Sequence, residues 1–396
     1  MLLCERVDVK KFTTGVAFVW IAFCALVGCV DKSTPKGFTD DFEAPKAETA
    51  WLRDWSENVR TNKTLESCAS FRETRLRPFL LREMDPSGQA TESERKTMNA
   101  AVDAVWGENG FKSFGKRKEL VAALDRVAKK PFAEMVRGFA EKKDIQVRTV
   151  AWIESGKFRN EDMRCVFWTV RNDINYKDAG FCELLQKADV DAWLKATWRI
   201  GVARDKAWKS RGGGWAKDVS EKGWEGYRKS GDECRAAFGE AMALKPYPEP
   251  VYFFDTLGPF PDEVFEAATR AQLDYPWLYR NFLWYNCFPR WCGSHAKMKR
   301  FAERCYDTKR HDSMIPLYYA DTILRMIFDG GGPGDGVEGY FGERPEELDK
   351  ILEVSLPQMN SEGAFKNTRQ IAATYATLAY SLKGEWEDQI RFFSDA

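Results

Sequence analysis

Apolar side chains return along this chain at the spacing of an α-helix, and that period limits the fold more than any other feature. Met98, Ala101, Val102 and Val105 stand at i, i+3, i+4 and i+7, the stripe that one helical face buries. Ahead of them, Thr91-Glu92-Ser93-Glu94 has the form of a capping box, in which the threonine and the second glutamate each satisfy a backbone N–H of the other. Leu120, Val121, Leu124 and Val127 make a second stripe. In "ECRAAFGEAMALKPYPEP", Cys234, Phe238 and Ala241 share a face and Pro246 stands five residues beyond, where proline's missing N–H stops a helix. The expectation is a mainly all-α chain. One stretch differs: "DIQVRTVAWIESGKFRNEDMRCVFWTV" carries two β-branched and aromatic runs around a polar, glycine-containing turn, so a small β-hairpin is expected near 145–170. With 44% hydrophobic and 14% aromatic residues among 396, the chain can close a substantial core.

From about Asp191 the pattern becomes one of helix pairs. The spacing of Cys234, Phe238, Ala241 and Pro246 is that of the second helix of a tetratricopeptide unit, and Ala373, Ala376, Tyr380 and Gly384 repeat it near the C-terminus. Ala207-Trp208-x-x-Arg211-Gly212-x-Gly214-x-Ala216 and "FPRWCGSH", taken with that last helix pair, resemble an uncharacterised bacterial family of tetratricopeptide-like proteins with signatures A-W-x-x-R-G-x-G-x-A and P-R-W-G-G-S. The resemblance covers 191–396 and implies a helical repeat superhelix in which these motifs are packing elements. It carries no established activity. Cys292 replaces the first glycine of the second signature. On the residues themselves, Trp208 and Trp215 fall on one helical face, with Arg211 between them able to bond carbonyls at a neighbouring helix end. Pro289, Arg290, Trp291, Gly293 and Ser294 read as a turn, an aromatic anchor and a helix cap.

The N-terminus points to export. Arg6, Lys10 and Lys11 precede an apolar run from Phe12 to Val30 that closes on "LVGC", Leu26 to Cys29, and this resembles the lipobox of bacterial lipoproteins. The resemblance implies a signal peptide over 1–28, lipid attachment (palmitate among the acyl chains) at Cys29, and a chain tethered to the cell-envelope membrane. Val30 after the cysteine mildly favours the outer membrane under the sorting rule of some Gram-negative bacteria. A polar, proline-containing tether follows over 29–50, then an N-terminal helical region over 51–190 and the repeat domain over 191–396.

Chemistry is harder to find. Cys287, Cys292, His295, Cys305 and His311 crowd together in a chain with two histidines, but their spacings repeat no short knuckle, so no metal is expected. A nucleophilic cysteine would need an orienting carboxylate that the sequence does not place. Export permits disulfides, and a bridge among Cys287, Cys292 and Cys305 is the expectation, with Cys234 a free core thiol. The glycines at 212–214 lack the lysine and the preceding strand of a phosphate loop, and "DGGGPGDGVEGYFGERPEE" reads as a flexible loop. No cofactor is called for. Lys plus Arg and Asp plus Glu are equal at 60 each, so no global field recruits nucleic acid.

Three functions fit this inventory. The leading one is a lipid-anchored scaffold that binds a protein or peptide on its helical surface. The rival is an envelope carbohydrate-active hydrolase, which needs two carboxylates about 5 to 10 Å apart in an aromatic-lined cleft. The third is a passive envelope component.

Overall fold

Local signals start several of the helices. Thr91 N–H donates to Glu94 Oε2 at 2.7 Å and Glu94 N–H to Thr91 Oγ1 at 3.3 Å, closing the expected capping box. Ser294 Oγ accepts the Lys297 N–H at 3.1 Å, and Ser220 Oγ that of Gly223 at 3.1 Å, each satisfying a donor that a helix start leaves open. The computed structural model describes residues 46–106, 118–171, 173–213, 216–254, 258–289, 291, 293–330, 335–359 and 366–384. Among them the fold is all-α, with no strand. Cys29 and its lipobox lie outside the described residues. None of the described helices is long and apolar enough to cross a membrane.

In chain order the helices are α1 (Lys46–Thr61), α2 (Cys68–Phe71), α3 (Arg77–Met84), α4 (Glu92–Trp106), α5 (Lys118–Val127), α6 (Lys130–Glu141) and α7 (Ile145–Gly156). There follow α8 (Met163–Val170), α9 (Ala179–Lys187), α10 (Ala192–Arg211), α11 (Glu221–Leu244), α12 (Glu249–Phe254) and α13 (Asp262–Ala271). The last are α14 (Pro276–Asn281), α15 (His295–Asp307), α16 (Leu317–Gly330), α17 (Asp335–Glu343), α18 (Glu346–Met359) and α19 (Lys366–Lys383). A π-helical turn over Arg72–Leu76 joins α2 to α3, and another over Phe282–Cys287 extends α14.

Neighbours in sequence pack as antiparallel pairs. Arg199 meets Glu240, Cys234 Sγ donates to the Ile200 carbonyl at 3.3 Å, and Lys206 pairs with Glu233 at 3.1 Å, so α10 and α11 run in opposite directions along their length. His295 at the start of α15 meets Asp329 at the end of α16, and Asp349 early in α18 meets Lys383 at the end of α19. The face Cys234, Phe238, Ala241 is buried as its spacing requires, and Cys234 is a free, buried thiol.

Three expectations need correction. The stretch near 145–170 is two helices, α7 and α8, and no hairpin. All eight residues of α8 are buried, so the helix lacks the polar face that would have marked its period. The glycine-rich segment holds α17, where Val337, Tyr340 and Phe341 at i, i+3, i+4 are buried. Along α19 the buried register is Ala372, Tyr375, Ala376 and Ala379, so Ala373 and Tyr380 flank the buried face.

Contacts also run between the early and late parts of the chain. Trp55 Nε1 donates to Thr269 Oγ1 at 3.1 Å, its ring meets Phe265 edge-on, and Trp51 meets Phe282 in the same way. Buried Arg164 pairs with buried Glu249 at 2.8 Å, and Glu249 Oε1 also accepts the Trp168 indole N–H at 3.0 Å. Trp55, Trp152, Trp193 and Trp198 are fully buried, so much of the tryptophan content is core and is not available to stack on a sugar.

Candidate functional site

The cluster that looks most chemical in the sequence is a joint. After the π-helical turn, the Phe288 carbonyl accepts the N–H groups of Trp291 at 3.2 Å and Gly293 at 3.0 Å, and Ser294 then caps α15. A Cβ on Gly293 would fall 2.0 Å from the Cys287 carbonyl oxygen and 2.1 Å from its carbon. Its φ is outside the left-handed region, so space and not dihedral angle demands glycine here. Pro289 is half-buried in the turn, and Arg290 and Cys292 lie outside the described residues. Trp291 is not the expected anchor: it is 44% exposed, touching Tyr285 at a ring distance of 5.4 Å. The buried aromatics at this joint are Tyr285 and Phe288.

Cys287 and Cys305 are free thiols and fully buried. Burial pushes Cys287 up to about 12 and Cys305 well above the ordinary thiol range, which removes thiolate character. His295 is buried against Asp329 at 3.0 Å. Half-buried His311 is held below the usual histidine range by desolvation, then by the charge of Lys309. No three His, Cys, Asp or Glu side chains among the described residues are placed to hold a metal ion.

The first motif closes the α10–α11 hairpin. Gly212 takes φ +79° at the C-cap, and its N–H donates to the Trp208 carbonyl at 3.0 Å, a helix stop that a side chain would strain. Arg211 donates to the Gly212 carbonyl at 3.2 Å and stacks between the rings of Trp208 and Trp224, 5.3 Å from each. Trp208 also meets Tyr227 edge-on at 5.5 Å. Gly214 and Trp215 lie outside the described residues.

Neither motif lines either of two clefts that form among the described residues. The first cleft, about 290 Å³, opens where α14, α16 and α19 converge. Trp277, Met314, Leu317 and Ile371 supply its apolar wall, and Ile371 is 38% exposed. Its polar end is internally matched: Asp321 accepts from Arg325 at 2.8 Å and from the Tyr375 hydroxyl at 3.2 Å. Arg280 is exposed at the rim, 5.1 Å from the Trp277 ring centre.

The second cleft, about 560 Å³, is polar and lies between the 63–67 loop, the α2–α3 run, the end of α13 and the 310–312 turn. Lys63, Arg75, Arg270 and Arg310 face Glu66 and Asp312 across it. Arg310 is almost fully buried; its Nη1 donates to the carbonyls of Val59 and Asn62, both at 3.1 Å, while Nε and Nη2 grip Asp312 at 2.7 and 2.8 Å. That grip holds the Asp312 carboxyl below its usual range. Glu66 accepts from Arg75 at 3.3 Å on one oxygen and from buried Arg164 at 3.5 Å on the other.

No protein-family model, curated protein or solved structure matches this chain. On geometry alone, the aromatic cleft holds one carboxylate, already bonded to Arg325 and Tyr375, and the polar cleft holds two carboxylates with no aromatic wall. Neither supplies the aromatic-lined carboxylate pair that glycoside hydrolysis requires. Sequence reading missed the lining residues of both clefts. The one available signal was Asp321 and Arg325, an i, i+4 ion pair that marks a helix face without saying what that face meets.

Proposed function

We propose that this protein is a helical scaffold of the cell envelope, anchored through lipid on Cys29, that binds a peptide segment of a partner protein in the aromatic cleft. The observation that carries this reading is the cleft itself: α14, α19 and the turn before α16, distant in sequence, bring half-buried Trp277 and Met314 and exposed Ile371 beside an ion pair that is already neutral. Such a wall takes an aliphatic or aromatic side chain, and exposed Arg280 at the rim favours a carboxylate next to it. The antiparallel pairing of successive helices supports a tetratricopeptide-like superhelix, and the two sequence signatures support membership of the family that they resemble. The charge order of the N-terminus and "LVGC" support the anchor.

Panning displayed peptides on the full chain tests the binding role. Enriched peptides should carry an apolar residue flanked by Asp or Glu and should lose affinity on an Ile371→Glu variant. No enrichment, or equal binding to the variant, rejects the assignment. Labelling with palmitate tests the anchor: Cys29→Ala should abolish the label, and an unchanged label removes the envelope localisation.

A further inference from the structure

The polar cleft has no part in peptide binding at the aromatic one, and its donors are arranged for a different ligand. We propose that it binds a phosphomonoester group carried on a small organic molecule. Cationic donors reach it from three separate elements: Lys63 from the 63–67 loop, Arg75 from the π-helical turn and Arg270 from the end of α13. Among the described residues Lys63 makes no ion pair, and Arg75 commits only its Nε to Glu66. The Arg75 Nη groups and the Lys63 ammonium therefore remain as donors at the cleft.

Behind the cleft, a core arginine holds Glu66 from the interior. Arg164 is buried, and its Nη1 reaches two cleft-lining groups, Glu66 at 3.5 Å and the Ala271 carbonyl at 3.4 Å, both at the long end of hydrogen bonding. Its Nη2 is buried without a hydrogen-bond acceptor, as Oε2 of its partner Glu249 is without a donor, and the guanidinium lies over the Phe71 ring at 4.2 Å. Arg164 therefore belongs to the core and acts on the cleft only through Glu66 and the Ala271 carbonyl. The uncommitted cationic donors of the cleft are thus the Lys63 ammonium and the Arg75 Nη groups; Arg270 already meets Glu266 through one Nη, and both lining carboxylates, Glu66 and Asp312, are bonded to arginine.

Ligand class follows from what the protein already provides. Glu66 fills the place of a carboxylate between Arg75 and Arg164, so an entering monocarboxylate would only substitute for it. A phosphomonoester brings about two negative charges and three acceptor oxygens, and can take donors from several elements at once, as the fork of arginine and the point charge of lysine permit. The volume of about 560 Å³ is of the size that holds a small organic ligand, so the remainder of the molecule fits beside the phosphate.

Isothermal calorimetry on the detergent-solubilised full chain tests this with inorganic phosphate and glycerol 3-phosphate, each against sodium chloride at equal ionic strength. Vesicles with and without phosphatidic acid form a third arm, which asks whether the phosphomonoester is borne on a lipid. Glycerol 3-phosphate should bind more tightly than inorganic phosphate, and Lys63→Gln and Arg75→Gln should each weaken it about tenfold or more. Both side chains are exposed, so the thermal midpoint of each variant should match the parent and show that it folds. Binding confined to phosphatidic acid vesicles and lost in both variants would keep the site and assign its source to lipid. Phosphate or its ester binding no better than chloride in all arms, or binding that survives both substitutions, overturns the proposal.

Discussion

Replacing Gly293 by alanine would test the joint between the π-helical turn and α15 at its tightest point. The added carbon would lie 2.0, 2.1 and 2.7 Å from the carbonyl oxygen, carbonyl carbon and Cα of Cys287. Those are backbone atoms of a buried residue, so no side chain can swing aside to make room. Overpacking a well-filled site costs about 1–3 kcal/mol, and with backbone on the far side the upper end applies, about 3 kcal/mol. For a chain of this size that corresponds to a fall of ~4 °C in thermal midpoint. Gly239→Ala is the matched control: it sits mid-helix on α11, exposed, with nothing within 4 Å of a new Cβ, and should gain about 1 kcal/mol from helix propensity alone. Urea unfolding followed by circular dichroism at 222 nm would read both. The two variants should move in opposite directions from the parent. A Gly293→Ala midpoint equal to or above that of the parent would mean that the turn is not pressed onto the Cys287 carbonyl, and the account of the motif as a close-packed joint would fail.

Glu249→Ala leaves the buried guanidinium of Arg164 without its closest partner and should cost about 3–5 kcal/mol, read as a shift in urea midpoint; the double variant Arg164→Met, Glu249→Leu should recover much of it, and a silent single variant would refute the pairing. Bonds from Arg126 and Thr91 hold the Glu94 carboxyl at about 2. Because this folded value lies below the unfolded one, its contribution to stability is complete above the ordinary carboxylate range and is lost as pH falls toward 2. An NMR titration should place Glu94 near 2 in the parent and higher in Arg126→Ala; titration in the ordinary range in the parent would refute the capping geometry. Cys68, Cys165, Cys182, Cys234, Cys287 and Cys305 are buried, and each thiol is pushed up by desolvation first of all. Ellman's reagent at pH 8 should therefore leave all six untouched in the native protein and titrate them in urea. Reaction of any of the six before unfolding would contradict their burial.

What the sequence discloses here is local. The Thr91–Glu94 box and the Ser294 cap are each settled within four residues, and the face of Cys234, Phe238 and Ala241 is legible because a polar face lies opposite. Where that contrast disappears, so does the signal: α8 is buried all round, and its β-branched and aromatic residues suit a strand equally well by composition. In α17 the glycines masked a short buried stripe of Val337, Tyr340 and Phe341. Trp291 looked like an anchor because large aromatics are usually inside, yet the turn leaves it at the surface while Tyr285 and Phe288 take the interior. The clefts were beyond reach for another reason. Glu66 and Arg310, or Trp277 and Ile371, become neighbours only through the packing of helices far apart in the chain, and no period along one helix records which partner it will meet.

Arg310 fixes an order of events. The carbonyl of Val59, near the end of α1, is satisfied by a guanidinium 251 positions later, so the last turn of α1 is finished only after residue 310 has been made. An array in which each unit leans only on its neighbours could assemble progressively as it emerges; this chain must wait. Closing so long a loop slows folding more than it weakens the product. A fragment released before residue 310 would keep the whole of α1 but not the clasp on its last turn, and quality-control proteases would meet that loose end first.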